Sequence, residues 1–395
     1  MISLFHINYR FKGYDAEKDK LTFKLGLSDD PRIHWLNRLG CLMFFILVSL
    51  NMSVKRLVSS PIQCWCPAQF EDHQVAYINA YCWVRNTYVV DFNQSLPMET
   101  NYRHKTEIQY YQWTPLILLF QAMLFYFPRM FWVAFIGYSL NLKKLLQMAD
   151  GATLANGSDR QQVIEGIVQY LIKYFKMRNY VSTQYKTMSK FKKVLVSLGF
   201  HKGNYLVFVF LTTSMMYAAS TLFQIWMVDI LLGINFKTLG YDFLLRAVKG
   251  EYFNDQHRFP TVSYCDFYLR QMRNLQTWTV QCSLPINLFA EKVFIVDWFI
   301  LVSMTTINVV YFLYNLISTI LPYRAEDYVQ KFLVSDGVIA GRQQKIIRHL
   351  TASQKEFVHS YLRRDGVFII WLVSNKINQV FASEIVLELW NKYTQ

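Results

Sequence analysis

Cysteine is the residue type with the most chemistry to offer in this 395-residue chain, and its placement is uneven. Six occur: Cys41, Cys64, Cys66, Cys82, Cys265 and Cys282. A thiol can attack as a nucleophile, hold a metal or pair with another thiol. Cys64-x-Cys66 is half of a metal clip, but no second ligand pair stands at a usual spacing from it. No GxSxG, Walker loop, GxGxxG or HExxH is present, and the eight histidines are scattered singly. Catalytic residues, a metal site and a cofactor are therefore not assigned, and the chain does not read as an enzyme. Pairing is what remains. It requires an oxidising compartment, so the question becomes which segments face one.

The elements that place the cysteines are apolar helices. Hydrophobic residues make up 53% of the chain and aromatics 17%, with a formal charge of +14. The charges are segregated, and four stretches are almost free of them. A hydrocarbon layer of about 30 Å needs roughly 20 apolar helical residues. Residues 205–228 supply that without a charge, as do residues 298–322. Residues 110–136 do so around Pro128 and Arg129. The weakest stretch lies within residues 36–56, carries Asn51 and two serines, and is closed by Lys55 and Arg56. It is the span expected beside water. The expected fold is a mainly α membrane protein with a four-transmembrane-helix subunit, disulfide-linked extracellular loops, some β structure in the second loop, and a helical cytoplasmic domain.

Charge sets the orientation. Residues 129–204 hold twelve Lys and Arg against three acids, which marks the middle loop as cytoplasmic. The expected order is a cytoplasmic N-terminal segment (1–35), transmembrane segment 1 (36–56), extracellular loop 1 (57–109), transmembrane segment 2 (110–136) and a cytoplasmic loop (137–204). Transmembrane segment 3 (205–228), extracellular loop 2 (229–292), transmembrane segment 4 (293–321) and a cytoplasmic C-terminal region (322–395) follow. Both termini are then cytoplasmic in a multi-pass plasma-membrane protein. Residues 1–35 are charged and lack a continuous apolar core, so the first span reads as an uncleaved anchor. Five cysteines fall in the two outer loops and none in a cytoplasmic segment. Charge and sulfur agree, and arithmetic leaves one outer cysteine unpaired.

Several motifs narrow the reading. Tyr110, Tyr111, Gln112 and Trp113 open the second span, followed by Thr114 and Pro115. PIQCWCPAQF (61–70) and YINAYCWVRNTY (77–88) precede them; FPTVSYCDF (259–267) and TVQCSLPINLFAEKVF (279–294) lie in the second loop. With DGVFIIWLV (365–373) and ELW (388–390), these make the chain, from about Asp29 onward, similar to the innexins, the invertebrate gap-junction proteins.

That resemblance implies a channel subunit passing ions and small metabolites between adjacent cells. It implies a homo- or hetero-oligomer, an octameric ring in the membrane lipids, docked through its outer loops to the opposing hemichannel of a neighbouring cell. It further implies a pore lined by the N-terminal segment and first span, with Lys55 and Arg56 as candidates at the outer mouth. Carried to the matching positions, the family pairing is Cys64 with Cys282 and Cys82 with Cys265. Cys66 stands where a non-cysteine is expected, so Cys66 with Cys282 is an open alternative, and Thr261 replaces a commoner arginine. An undocked plasma-membrane hemichannel and a non-conducting adhesion or regulatory subunit are the competing classes.

Other features have plainer explanations. Asp297 is expected at the outer end of the last span, solvated at the interface or salt-linked. Arg129 is expected to snorkel to headgroups. The basic stretch 186–203 fits calmodulin or anionic lipid, and positive-inside topology equally well. GVFIIWLV (366–373) is too short to span and reads as buried helix. Asn93-Gln94-Ser95 is an outer glycosylation acceptor. The basic balance follows topology, and no nucleic-acid partner is implied.

Overall fold

The computed structural model describes residues 31–90, 103, 107–136, 142–153, 157–184, 203–335 and 352–395. The N-terminal segment before Pro31, the Asn93 sequon and nearly all of the basic stretch at 186–203 lie outside them. Among the described residues, four helices are long and apolar enough to cross a membrane: α1 (Arg32–Val58), α3 (Tyr110–Ile136), α6 (Tyr205–Leu232) and α8 (Pro285–Ile320). Three of them run past the windows read from charge. A charged residue ends a hydrocarbon-compatible run, but it does not end a helix. Asp229 in α6 and Glu291 and Lys292 in α8 sit in such extensions. Inside α1, Leu36–Cys41 form one π-helical stretch.

The chain divides into two compact units. One comprises Leu36–Phe127 and Tyr217–Ile307. Within it, β1 (Gln63–Trp65), α2 (Asp72–Arg85), β2 (Thr87–Tyr88) and β3 (Glu107–Ile108) come from the first loop. Helix α7 (Phe236–Val248) and strands β4 (Val262–Gln271) and β5 (Asn274–Ser283) come from the second. The strands form a single antiparallel sheet in the order β1-β5-β4-β2-β3. The sequence suggests β structure in the second loop; the first loop in fact supplies three of the five strands. They are only two or three residues long, too short to carry an alternating pattern; β1 and β2 add to the two edges of the β4–β5 hairpin, and β3 adds to β2.

Alternation along that hairpin makes one face apolar. Ser263, Cys265 and Phe267 of β4 and Val280 and Cys282 of β5 are buried on it, and Phe70 packs edge-on against Phe267 and Trp278. Helix α2 covers this face through Ile78 and Cys82. A capping box between Glu71 and Gln74 starts the helix, and Asn86 at φ 75° ends it.

The second unit comprises the described residues of Pro128–Met216 and Asn308–Gln395, with residues 31–35. Besides the ends of the spanning helices it contains α4 (Leu142–Thr153), α5 (Gly157–Gln184), α9 (Pro322–Ser335), α10 (Ala352–Glu356), a π-helical stretch Phe357–Leu362, α11 (Arg363–Lys376) and α12 (Gln379–Thr394). The apolar run at 366–373 belongs to α11, where Phe368, Ile369, Ile370, Leu372 and Val373 are buried in the core of this unit.

Candidate functional site

The four bonded cysteines meet on one face of the sheet. Cys64 and Cys282 stand opposite each other in the β1–β5 register and are bonded, with Cα atoms 3.9 Å apart. Cys82 of α2 is bonded to Cys265 of β4 across 5.8 Å. Both bridges join the first loop to the second. One ties strand to strand and the other ties helix to sheet. Cross-links spanning 218 and 183 residues close long loops in the unfolded chain, which is where such bonds contribute most, roughly 2–4 kcal/mol each.

Cys66 keeps a free thiol, half-buried, with its Sγ 3.8 Å from the carbonyl of Cys64. Burial raises its pKa and so keeps it protonated. The sulfurs of Cys64, Cys82 and Cys282 lie within 4.8 Å of one another, yet each is already spent in a disulfide and offers no thiolate to a metal. Cys41, in α1, is buried and free.

On the opposite face of the sheet a single carboxylate gathers three donors. Asp266 accepts from Tyr88 Oη at 3.0 Å, Thr279 Oγ1 at 2.7 Å and Arg103 at 2.8 Å. Two of these donors belong to the first loop. Asp266 therefore reinforces by charge-assisted bonding the union that sulfur makes covalently.

The motif residues of α3 explain how this layer is seated on the spanning helices. Tyr110 donates through Oη to the carbonyl of Arg258 at 3.0 Å. Gln112 donates to the carbonyl of Trp83 at 2.5 Å and to Asn86 Oδ1 at 3.3 Å. Asn287, from the LPIN motif, donates to the carbonyl of Pro260 at 2.8 Å. Tyr111 is fully buried and its ring meets Trp83 at 4.8 Å, whereas Trp113 is 58% exposed. Pro115 has no N–H, so the carbonyl of Tyr111 loses its i+4 donor. Thr114 Oγ1 and the guanidinium of Arg56 fill the place, and Arg56 also reaches the carbonyl of Gln112 at 2.7 Å.

Arg56 is thus engaged with backbone rather than turned toward open water. Lys55, its neighbour, lies 4.7 Å from the Phe289 ring centre and remains exposed. The polar residues of α1 are likewise served from within. Ser49 donates to the carbonyl of Pro115 at 2.8 Å, and Asn51 and Ser53 donate to carbonyls one turn back in their own helix. Asp297 is buried among side chains rather than solvated as expected. It is 1% exposed and accepts from Gln121 of α3 at 3.2 and 3.3 Å. An amide donor about three turns into α3 satisfies the carboxylate, in place of the solvent or salt link expected for it. Arg129 is half-buried in the other unit.

That unit holds a junction built around Asp365, the first residue of the DGVFIIWLV motif, to which no role was assigned from sequence. Asp365 is fully buried and accepts from the backbone N–H groups of Tyr205 and Leu206 at 3.0 Å and Val207 at 3.3 Å, the first donors of α6. Its own N–H donates to the carbonyl of Gly203 at 3.0 Å. Gly203 adopts φ +69°, and a Cβ there would come within 2.7 Å of Arg363. Arg178, 2% exposed, donates to the carbonyls of Tyr361 and Leu362 at 2.8 and 3.1 Å.

None of this constitutes a reactive centre. The site is a covalently fused two-loop layer held on membrane-spanning helices, suited to presenting a fixed surface. The comparisons with known proteins agree with one another on the family. The innexin family model matches residues 30–393. Innexin unc-9 of Caenorhabditis elegans is 29% identical over 372 residues, covering 92% of each chain. Innexin eat-5 of the same organism is 29% identical over 379 residues, covering 93% of this chain and 88% of its own. Innexin-19 of Caenorhabditis briggsae is 26% identical over 384 residues, covering 93% and 87%. With four membrane-spanning helices, two cross-loop disulfides and a family match over nearly its whole length, the chain belongs to the innexin family.

Proposed function

We propose that this innexin is a subunit of a gap-junction channel that passes ions and small metabolites between adjacent cells. The observation that carries the reading is the fusion of both loops into one sheet by Cys64–Cys282 and Cys82–Cys265. Docking two membranes requires a surface whose shape exists before contact, because ordering loops during association costs affinity. Conduction itself needs no covalent chemistry. Solutes move through water down their electrochemical gradients, with selectivity set by pore width and lining charge.

A ring is the natural assembly for such a subunit, and an octamer docked to an opposing hemichannel is the form we infer. The first span supports it. Only 22% of its apolar window is buried within one subunit, the smallest share among the four spans. Met43, Leu47, Leu50, Val54 and Leu57 remain exposed at helical spacing. Neighbouring subunits and the lumen are the partners we assign to α1, with Lys55 near the outer mouth. Both termini and the α-helical unit lie in the cytosol in this arrangement, the sulfur-bridged layer lies outside, and Asn93 is an outer glycan acceptor.

Recording from paired cells, with single-cell controls, tests the proposal. Junctional conductance when both cells express the protein, and none when only one does, is the expected result. Current in single cells without coupling assigns an undocked hemichannel instead. Cell adhesion with neither current assigns a non-conducting subunit. Epitope labelling of intact cells tests the topology independently, and a terminus accessible from outside would overturn it.

A further inference from the structure

Helix α7 starts four residues beyond the end of α6, after a turn at Gly233 with φ +63°. Its inner face is fully used. Phe236 meets Phe294 edge-on at 6.4 Å, and Trp298 Nε1 donates to the carbonyl of Lys237 at 3.0 Å. Gly240 lies so close to the Trp298 ring that a Cβ would fall inside it. Phe243 packs on Phe253 at 5.3 Å and Phe299 at 6.1 Å. The opposite face is apolar as well. Tyr241, Leu244, Leu245 and Val248 repeat at i, i+3, i+4 and i+7 and are all exposed, Val248 to 87%; Tyr252 continues the line just beyond the helix.

Depth decides what covers this face. Trp298 is the first residue of the charge-free stretch 298–321 of α8, so it marks the rim of the hydrocarbon layer, where tryptophan is favoured. Along α7, the contacts on α8 step from Phe294 to Trp298 to Phe299, toward the charge-free stretch. The helix therefore does not climb away from the membrane as it proceeds. Its free face continues the exposed Trp226, Ile230 and Leu231 at the end of α6. Lys237 and Lys249 are exposed beside it, and two tyrosines bracket it. Cations and phenols bordering an apolar stripe match a phosphate headgroup layer over acyl chains.

We propose that α7 is an interfacial helix whose Tyr241–Leu244–Leu245–Val248 face is immersed in the headgroup–acyl boundary of the leaflet on the disulfide side. It depends on α6 and α8 spanning the bilayer and is independent of whether the assembled protein conducts. Lipid immersion holds the bridged layer at a constant height above the membrane, which a surface meeting a second membrane needs.

The test uses the full-length assembled protein in phosphatidylcholine bilayers, with Val248→Cys carrying a nitroxide in a Cys41→Ser, Cys66→Ser background. Power saturation should give collisions with oxygen several-fold above those with an aqueous nickel chelate, placing the label about 5–10 Å below the phosphates. A label at Thr238→Cys, on the polar flank, should favour the chelate. Chelate-dominated collisions at residue 248 would show a helix standing in water. Low collisions with both reagents, with spin–spin broadening, would show a neighbouring subunit on this face. Either overturns the proposal. Leu245→Cys reads the same face should the first variant fail to assemble.

Discussion

The guanidinium of Arg56 occupies the place that the missing N–H of Pro115 leaves vacant at the carbonyl of Tyr111. One side chain of α1 thereby repairs a break in the backbone ladder of α3, and it grips the next carbonyl, of Gln112, as well. The YYQW-x-P motif needs its proline and the arginine of a different helix together. The fork geometry of Arg, with donors spread over a plane, reaches both carbonyls and Thr114 Oγ1, which a lysine ammonium does not.

Arg56→Ala should therefore cost about 1.5–3 kcal/mol, the range for hydrogen bonds from a charged donor, and Arg56→Lys should recover less than half. Pro115→Ala supplies the helical N–H that proline lacks, so Arg56→Ala should cost measurably less in that background. Thermal midpoints of the detergent-solubilised protein in a double-mutant cycle report this coupling. Strictly additive effects would separate the two residues.

Loss of one cross-loop bridge should disable the outer layer before it harms the spanning helices. Cys82→Ser or Cys265→Ser releases α2 from the sheet and removes roughly 2–5 kcal/mol from that layer. Surface delivery and helical content should persist while junctional conductance disappears. Normal coupling in both variants would show that docking does not need the staple.

Gly240 and Trp298 offer a steric test. Gly240→Ala inserts a methyl group where the indole ring already lies, and overpacking of this kind costs about 1–3 kcal/mol. Helix α7 should lift from α8, lowering the thermal midpoint. Trp298→Leu should relieve part of that penalty although it is damaging alone. Equal loss from Gly240→Ala with either residue at 298 would locate the strain elsewhere.

The spans were legible because hydrocarbon excludes charge, and residues 205–228 and 298–321 carry none. The strands of the first loop were not, since two or three residues cannot display a period of two and β1 exists only because β5 offers it an edge. Pro115 announces that a carbonyl lacks its donor, but no local pattern says that Arg56, 55 residues earlier than Tyr111, supplies one. Asp297 was visible as an acid in an apolar helix. Its partner Gln121 was not, because an amide inside a span gives no charge signal. Asp365 opens the DGVFIIWLV motif, but nothing local shows its role, because its donors lie about 160 residues away.

That last contact makes stability depend on pH. Burial raises the carboxyl of Asp365 from its ordinary 3.8 to about 7, outweighing the backbone donors of Tyr205, Leu206 and Val207 and the nearby Arg178 guanidinium, all of which favour the anion. The folded unit then binds the proton more tightly than the unfolded chain does. Stability from this site is complete below about pH 4 and is lost as pH rises through about 7. The groups that share the junction are Arg178, Arg363 and Tyr361. Burial lowers the Arg178 pKa and raises that of Tyr361, and Asp365 is the group whose shift reaches neutral pH. Asp365→Asn retains a side-chain carbonyl to cap α6 and has nothing to ionise. The thermal midpoint of the wild type, measured against that of Asp365→Asn, should fall between pH 6 and pH 8. A difference that stays flat or rises over this interval would mean that the N–H donors and Arg178 hold Asp365 ionised despite its burial.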